Sequence, residues 1–250
     1  MLLRHYGFTP LHASQEDAKI VSTGSILEHL ADTYSGLIVG AGFLYETSRR
    51  SFPKATVLAV RGRLTLERLG RRGSNVVLGD PGLLAAHVIG RRAEKRFELG
   101  LVPHYVDRRN PFLDEIWQRN RGDVTIINVE RKRPLHVFRE IDMCQHIVSS
   151  SLHGLIVADS LGIPSAWMAS PGLEGGRFKF DDYYSSINRG VSNPMVLCGY
   201  QTVRELTEKT SLKPQEEVDK VVFHLNSIFL ELAKMYAIKQ KPSCHYHKPC

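Results

Sequence analysis

The sequence predicts an α/β protein built from two units with parallel sheets, followed by one long packing helix. Three observations predict it. Short apolar runs alternate with amphipathic segments, the pattern of strand–helix–strand units. The alternation occurs twice, on either side of a basic stretch, "HVIGRRAEKRFEL". After Pro214 the pattern changes to a single apolar stripe at steps of three and four residues. A chain of 250 residues has room for one large domain or two small ones. The divisions expected are 1–86, 87–212 and 213–250.

In the first unit, "GLIVG" (36–40), "ATVLAV" (55–60) and "NVVLG" (75–79) read as buried strands. "RLTLERLG" between the last two reads as a short helix closed by Gly70. The second unit opens with "LGLVPHYVD" (99–107). It continues with "PFLDEIWQRN" as helix, "DVTIINVE" as strand and "PLHVFREIDMCQ" as helix. "HIVSS" then reads as a strand, "LHGLIVADSLG" as a helix and "IPSAWMA" as a strand. Val218, Val221, Val222, Leu225, Phe229, Leu232 and Tyr236 give the last helix one apolar face. Acidic residues at its start and lysines near its end suit the helix dipole.

Composition narrows the class. Apolar content of 42% and charged content of 24% suit a globular enzyme. No apolar run approaches the roughly 18 residues that cross a bilayer, and the opening residues lack a signal-peptide core. A cytoplasmic location is the expectation. The formal charge of +7 permits nucleic acid, an anionic membrane face or a phosphorylated small molecule as partner. Nucleic acid is disfavoured, because the arginine pairs at 49, 71, 91 and 108 are dispersed and have no interleaved aromatics. The tail "SCHYHKPC", with Cys244, His245, His247 and Cys250, matches no standard zinc spacing, and no metal is expected.

The richest stretch for chemistry is "HIVSSSLHGLIVADSLGIP". A strand running through Ser149, Ser150 and Ser151 into a helix aims backbone N–H groups and hydroxyls at a helix start, which suits an anion. His153 falls in the first turn and would be kept protonated by a nearby phosphate, as a general acid. The same residues also suit a plain helix cap. Arg61 and Gly62 follow a strand directly and suit either a ligand site or a solvated turn. Asp80, in "GDPGLLA", either binds a hydroxyl or caps the next helix. His104 stands just past the strand that opens the second unit. In "GGRFKFDDYYSS" (175–186), Lys179 is placed to meet an anion and Asp181 a sugar hydroxyl; alternatively a loop runs into a helix capped by Asp181 or Asp182. Neither "STGSIL" nor "VGAGFLYE" completes G-x-G-x-x-G, and no P-loop lysine follows.

Six segments in order, "TGSIL", "VLAVRGRLT", "LGDPGLLA", "GLVPHYVD", "VSSSLHGLIVADSLGIP" and "FKFDDYYSS", resemble the polysaccharide pyruvyl transferase family over roughly residues 22–187. The resemblance implies two Rossmann-like units in a GT-B-like architecture with an interdomain active site. It implies transfer of a pyruvyl group from phosphoenolpyruvate to sugar hydroxyls of an exopolysaccharide or cell-surface glycan, forming a ketal. The donor is a substrate, and no cofactor is implied. His153 becomes the proton donor, with Asp80 or Asp181 accepting the hydroxyl proton. Ser150 and Ser151 lie at the donor's phosphate or carboxylate, and Gly24 and Ser25 lie in the substrate site. Some relatives carry arginine immediately before the leucine–histidine pair, where this chain has Ser151. The cation is then expected from Arg61, His104, Arg177 or Lys179. Relatives also place an "N-F-G-D"-like turn ahead of "GSIL". The residues before Thr23 hold none, which implies a late start or an incomplete acceptor side. A lipid-linked acceptor and peripheral contact with the inner, anionic membrane face fit the basic charge. The rival readings are a GT-B glycosyltransferase with a nucleotide-sugar donor and a truncated, non-catalytic anion-binding protein.

Overall fold

The computed structural model describes residues 1–11, 13–14, 17–72, 74–190 and 193–239. The cysteine- and histidine-bearing tail lies outside them. Two four-stranded sheets, each wholly parallel, carry the fold. The first contains β1 (Ile20–Val21), β2 (Leu37–Val39), β3 (Thr56–Val60) and β4 (Val77–Leu78) in sequential order. The second contains β5 (Phe97–Val102), β6 (Val124–Ile126), β7 (Cys144–Ser149) and β8 (Ser165–Trp167), in the order β6-β5-β7-β8. Parallel strands are covered on both faces, so they appear as near-continuous apolar runs. Leu99, Leu101, Ile147 and Val148 are accordingly fully buried.

The helices are α1 (Leu2–His5), α2 (Arg63–Arg68), α3 (Ala85–Ile89), α4 (Pro111–Arg119), α5 (Pro134–Asp142), α6 (Leu152–Ser160), α7 (Phe178–Ser186), α8 (Val203–Thr207) and α9 (Gln215–Lys239). Helix α2 ends as the sequence suggests, with Gly70 at φ +69° just past its last turn. Helix α7 begins earlier than expected. Asp181 and Asp182 therefore sit inside it rather than at its cap, because Phe178, Phe180, Tyr183 and Tyr184 all bury. Helix α6 has no polar face; Leu155, Ile156 and Ala158 are fully buried, and it runs through the interior.

One apolar cluster joins the two halves. It takes Val39 and Ala59 from the first sheet, Leu155 and Ile156 from α6, Phe180 and Tyr183 from α7, and Val221, Leu225 and Phe229 from α9. Burying each large side chain of this stripe contributes about 1.5–3 kcal/mol. Helix α1 is fastened to α9 from the other side. Tyr6 stacks on Phe229 at 5.2 Å between centroids, and its hydroxyl donates to Asn226 Oδ1 at 2.7 Å. Phe8 meets Tyr236 edge-on at 5.7 Å.

A buried ion pair also ties the halves together. Arg61, at the end of β3, and Asp182, on α7, are both fully buried. Arg61 Nε donates to Asp182 Oδ2 at 2.8 Å, Nη1 to Ser25 Oγ at 2.6 Å and Nη2 to the Phe43 carbonyl at 2.6 Å. The Thr65 amide and hydroxyl donate to the same carboxylate at 2.8 and 2.7 Å. Gly62 lies so close to α7 that a Cβ there would stand 1.7 Å from the Asp182 carbonyl oxygen.

Candidate active site

The order of the second sheet creates a crevice. Strand β5 connects outward to β6 and its neighbour β7 connects outward to β8, in opposite directions. The loops after β5 and β7 therefore part at their carboxyl ends, the place where open α/β sheets bind ligands. A cavity of about 560 Å³ opens there. Its polar wall is Thr23 after β1, His104 after β5, and Ser151 and His153 at the start of α6. Pro81 and Gly82 close it from β4, and Val137, Phe138 and Val157 supply apolar wall. Strand ends of both sheets thus meet around one space.

His153 is held by the first half of the chain. Its Nε2 lies 3.5 Å from Asp80 Oδ2, within ion-pair range, and neither atom makes a hydrogen bond among the described residues. Asp80 is fully buried, and its other oxygen accepts the Gly82 amide at 2.8 Å, capping the turn that follows. The His153 side chain is 43% exposed, so the rest of its ring faces the cavity. A buried carboxylate facing one imidazole nitrogen orients the ring, an arrangement that suits a general acid. Of the two readings of Asp80 the cap is the one seen, and its second oxygen faces His153.

The serines divide their work. Ser149 Oγ donates to the Val102 and Ser151 carbonyls, both at 2.8 Å, and binds β7 to β5. Ser150 Oγ accepts the His104 amide at 2.9 Å and donates to Asp107 Oδ2 at 2.5 Å. Asp107 Oδ1 accepts from Ser170 Oγ at 2.7 Å. One buried carboxylate thereby joins the loops after β5, β7 and β8. Sequence reasoning missed Asp107, since its partners are distant in the chain, although it closes the quoted segment "GLVPHYVD". It also missed Thr23, which stands beside the two residues that were singled out. Ser151 is the N-cap residue of α6 but makes no side-chain cap bond, and it lines the cavity.

His104 is the second imidazole on the cavity. Its Nδ1 is buried without a hydrogen-bond partner among the described residues, and its ring lies against Tyr105 at 4.2 Å. Burial pushes its pKa down, and the charges of Lys179 and His153 push the same way against Asp107. Its neutral form is therefore favoured relative to an ordinary histidine. Lys179 is buried, with one long bond of 3.4 Å from Nζ to the Glu174 carbonyl. Burial, then the charge of Arg61, lowers its pKa to about 8.

Several expected site residues are engaged elsewhere. Arg61 is sealed in the ion pair described above and does not line the cavity. Ser25 accepts one of its donors, and the Gly24 carbonyl accepts the Gly42 amide at 2.9 Å. Asp181 accepts Arg177 Nε at 2.7 Å in an exposed ion pair one helical turn apart. Neither Arg177 nor Asp181 lines the cavity. Ser150 serves Asp107 and the His104 amide rather than presenting a free hydroxyl. Among the described residues no arginine or lysine lines the cavity, and no helix is long and apolar enough to cross a membrane.

Comparison with known proteins places this geometry. The family model described as polysaccharide pyruvyl transferase matches residues 10–171, which include Thr23, Asp80, His104, Asp107, Ser151 and His153. An uncharacterized protein of Acanthamoeba polyphaga mimivirus is 35% identical over 159 residues, 60% of this chain and 54% of that protein. The succinoglycan biosynthesis protein ExoV of Rhizobium meliloti (strain 1021) is 27% identical over 175 residues, 67% of this chain and 53% of that protein. The chain spans about half the length of each of these relatives.

Proposed function

The chain belongs to the polysaccharide pyruvyl transferase family, and from that premise we propose that it transfers a pyruvyl group from phosphoenolpyruvate to two hydroxyls of a glycan sugar, forming a cyclic ketal. The observation that carries the proposal is the Asp80–His153 contact on the cavity wall. Phosphoenolpyruvate needs a proton at its methylene carbon before C2 becomes electrophilic. His153, oriented by Asp80, delivers that proton, and the methylene becomes a methyl group. A sugar hydroxyl then forms a bond to C2 and passes its proton to His104, whose neutral imidazole suits a base. The C2–O bond to phosphate breaks, and a second hydroxyl of the same sugar closes the ring. Of the two hydroxyl protons, one replaces the proton given to the donor and the other leaves with phosphate.

The donor's charge has to be met without an arginine on the wall. The start of α6 at Ser151 supplies amide hydrogens and the positive end of its dipole. Lys179, buried outside the cavity lining but near enough for its charge to act on His104, adds positive potential from behind the wall in this scheme. The acceptor is a glycan carried on a polymer or a lipid, met in the cytoplasm or at the inner membrane face, and GT-B-like closure of the two halves would exclude water.

The test is direct. Incubation with phosphoenolpyruvate and a glycan acceptor should release phosphate and add the mass of a pyruvyl ketal to the acceptor. A ligand at a hundred times its Kd stabilises by about 2.7 kcal/mol, so phosphoenolpyruvate at that level should raise Tm by about 5–10 °C. Stabilisation by a UDP-sugar, with no phosphate released from phosphoenolpyruvate, would replace this reading with the glycosyltransferase one.

A further inference from the structure

A second recess lies at the opposite edge of the first sheet. It has a volume of about 320 Å³ and is lined by Arg49, Arg50, Ser51, Arg68 and Asp32 among others. Asp32 precedes β2, Arg49 to Ser51 precede β3, and Arg68 ends α2. These positions belong to the amino ends of the strands, away from the cavity at their carboxyl ends. Nothing in the scheme above uses them.

The arginine heads are fixed rather than trailing in solvent. Arg50 lies over the fully buried Phe52 ring at 5.3 Å, donating Nε to Asp32 Oδ1 at 2.9 Å and Nη1 to the Glu28 carbonyl at 2.8 Å. Arg68 lies over the buried Phe178 ring at 5.5 Å, donating Nε to the Glu46 carbonyl at 2.8 Å. Its side chain is only 15% exposed, and the carboxylates of Glu46 and Glu67 stand 3.9 and 4.0 Å from its terminal nitrogens, beyond hydrogen-bond range. Arg49 Nη1 donates to the Glu46 and Ser48 carbonyls at 3.0 and 2.7 Å. These bonds position each guanidinium yet leave Nη2 on all three without a hydrogen bond among the described residues. Three arginines line the recess with one carboxylate, Asp32, paired with Arg50, while Glu46 and Glu67 stand at the limit of ion-pair range from Arg68.

Preset guanidinium forks match the planar oxygens of a carboxylate or the faces of a phosphate. The space exceeds what a single inorganic anion fills and is of the size that takes a small organic ligand. We propose that this recess binds an acidic sugar of the glycan, one bearing the carboxylate that pyruvyl transfer installs. It would hold an already modified part of the chain while the cavity works elsewhere. The choice of carboxylate-bearing sugar rests on the transferase reading; the anion site itself does not.

Ligand-observed NMR titration of the full chain tests it, with a pyruvyl-ketal monosaccharide, its unmodified neutral sugar and inorganic phosphate as three separate probes. The ketal sugar should bind, the neutral sugar should not, and added salt should weaken the interaction. Arg49→Ala and Arg68→Ala should each weaken ketal-sugar binding about tenfold. Because Arg68 is packed, the exposed Arg49→Ala variant serves where Arg68→Ala fails to fold. In a His153→Ala background, Arg49→Ala should still weaken ketal-sugar binding about tenfold, which separates this recess from the cavity. Absence of binding, or binding by both arginine variants as tight as the parent's, would overturn the site. Phosphate binding tighter than the ketal sugar would overturn the assignment of the ligand. Binding here by a chain that never releases phosphate from phosphoenolpyruvate would sink the transferase reading and leave the anion site standing.

Discussion

Asp182→Asn is the most exposing single change to the fold, because it removes a charge and almost no volume. In the parent, Arg61 and Asp182 are both fully buried at 2.8 Å. The amide keeps one oxygen for the donors of Arg61 and Thr65 but no negative charge, which leaves the guanidinium charge unpaired in the interior. Breaking a buried pair from one side costs about 3–5 kcal/mol. For a chain of this length each kcal/mol shifts Tm by about 2–4 °C, so a fall of about 6–20 °C is expected. The comparison that isolates the pair is a double-mutant cycle with Arg61→Met and the combined variant, read by calorimetry and urea unfolding. Removing both charges should recover a large part of the loss, giving a coupling of about 2 kcal/mol or more. A fall below about 2 °C for Asp182→Asn, or additive single effects, would refute the claim that this pair lies dry between β3 and α7. Activity should fall with stability, since Ser25, held by Arg61, is two residues from Thr23 on the cavity wall.

Three further outcomes follow from the geometry. Asp80→Asn keeps an oxygen for the Gly82 amide but removes the negative charge beside His153; kcat should drop about a hundredfold with little change in Tm, and an unaltered rate would remove Asp80 from the scheme. Gly62→Ala should cost several degrees of Tm, since its backbone is already extended at φ −164° and the added methyl would run into the Asp182 backbone carbonyl and carboxylate; a fully stable variant would mean that α2 and α7 are less closely apposed. Asp159 is raised to about 6, chiefly by burial. A carboxyl raised on folding stabilises in its protonated form, so that contribution is present below its unfolded value and is lost as pH rises towards 6. Asp159→Asn, which keeps an acceptor for the Tyr183 hydroxyl, should gain Tm relative to the parent between pH 4 and pH 7, by the equivalent of about 3 kcal/mol; a constant difference would place Asp159 in a wetter setting.

How much of this was legible in the chain depends on whether the determinant is local. Strands such as Phe97–Val102 and Cys144–Ser149 announce themselves because both of their faces bury. Ile20–Val21 does not, being two apolar residues in a polar stretch that become a strand only by pairing with Leu37–Val39. The run from Ser149 to His153 was legible as a strand entering a helix, and its place at a sheet's carboxyl end followed. What no local signal carries is which partner each polar group finds. Arg61 looked like a ligand-facing arginine because it follows a strand, but α7 delivers Asp182 to it from far along the chain. Asp107 looked like the end of a turn, yet it collects hydroxyls from two other loops. Asp181, beside a buried carboxylate in sequence, points to Arg177 instead.

The fastening of α1 to α9 has a practical consequence. Met1 and Leu2 stand on the cavity wall, yet they precede the family-matched region, and the helix that pins them follows it. An affinity tag fused ahead of Met1 would start its linker at the cavity wall. Purification handles on this protein are therefore not neutral choices: a leader left uncut should slow substrate entry, and its proteolytic removal should restore it.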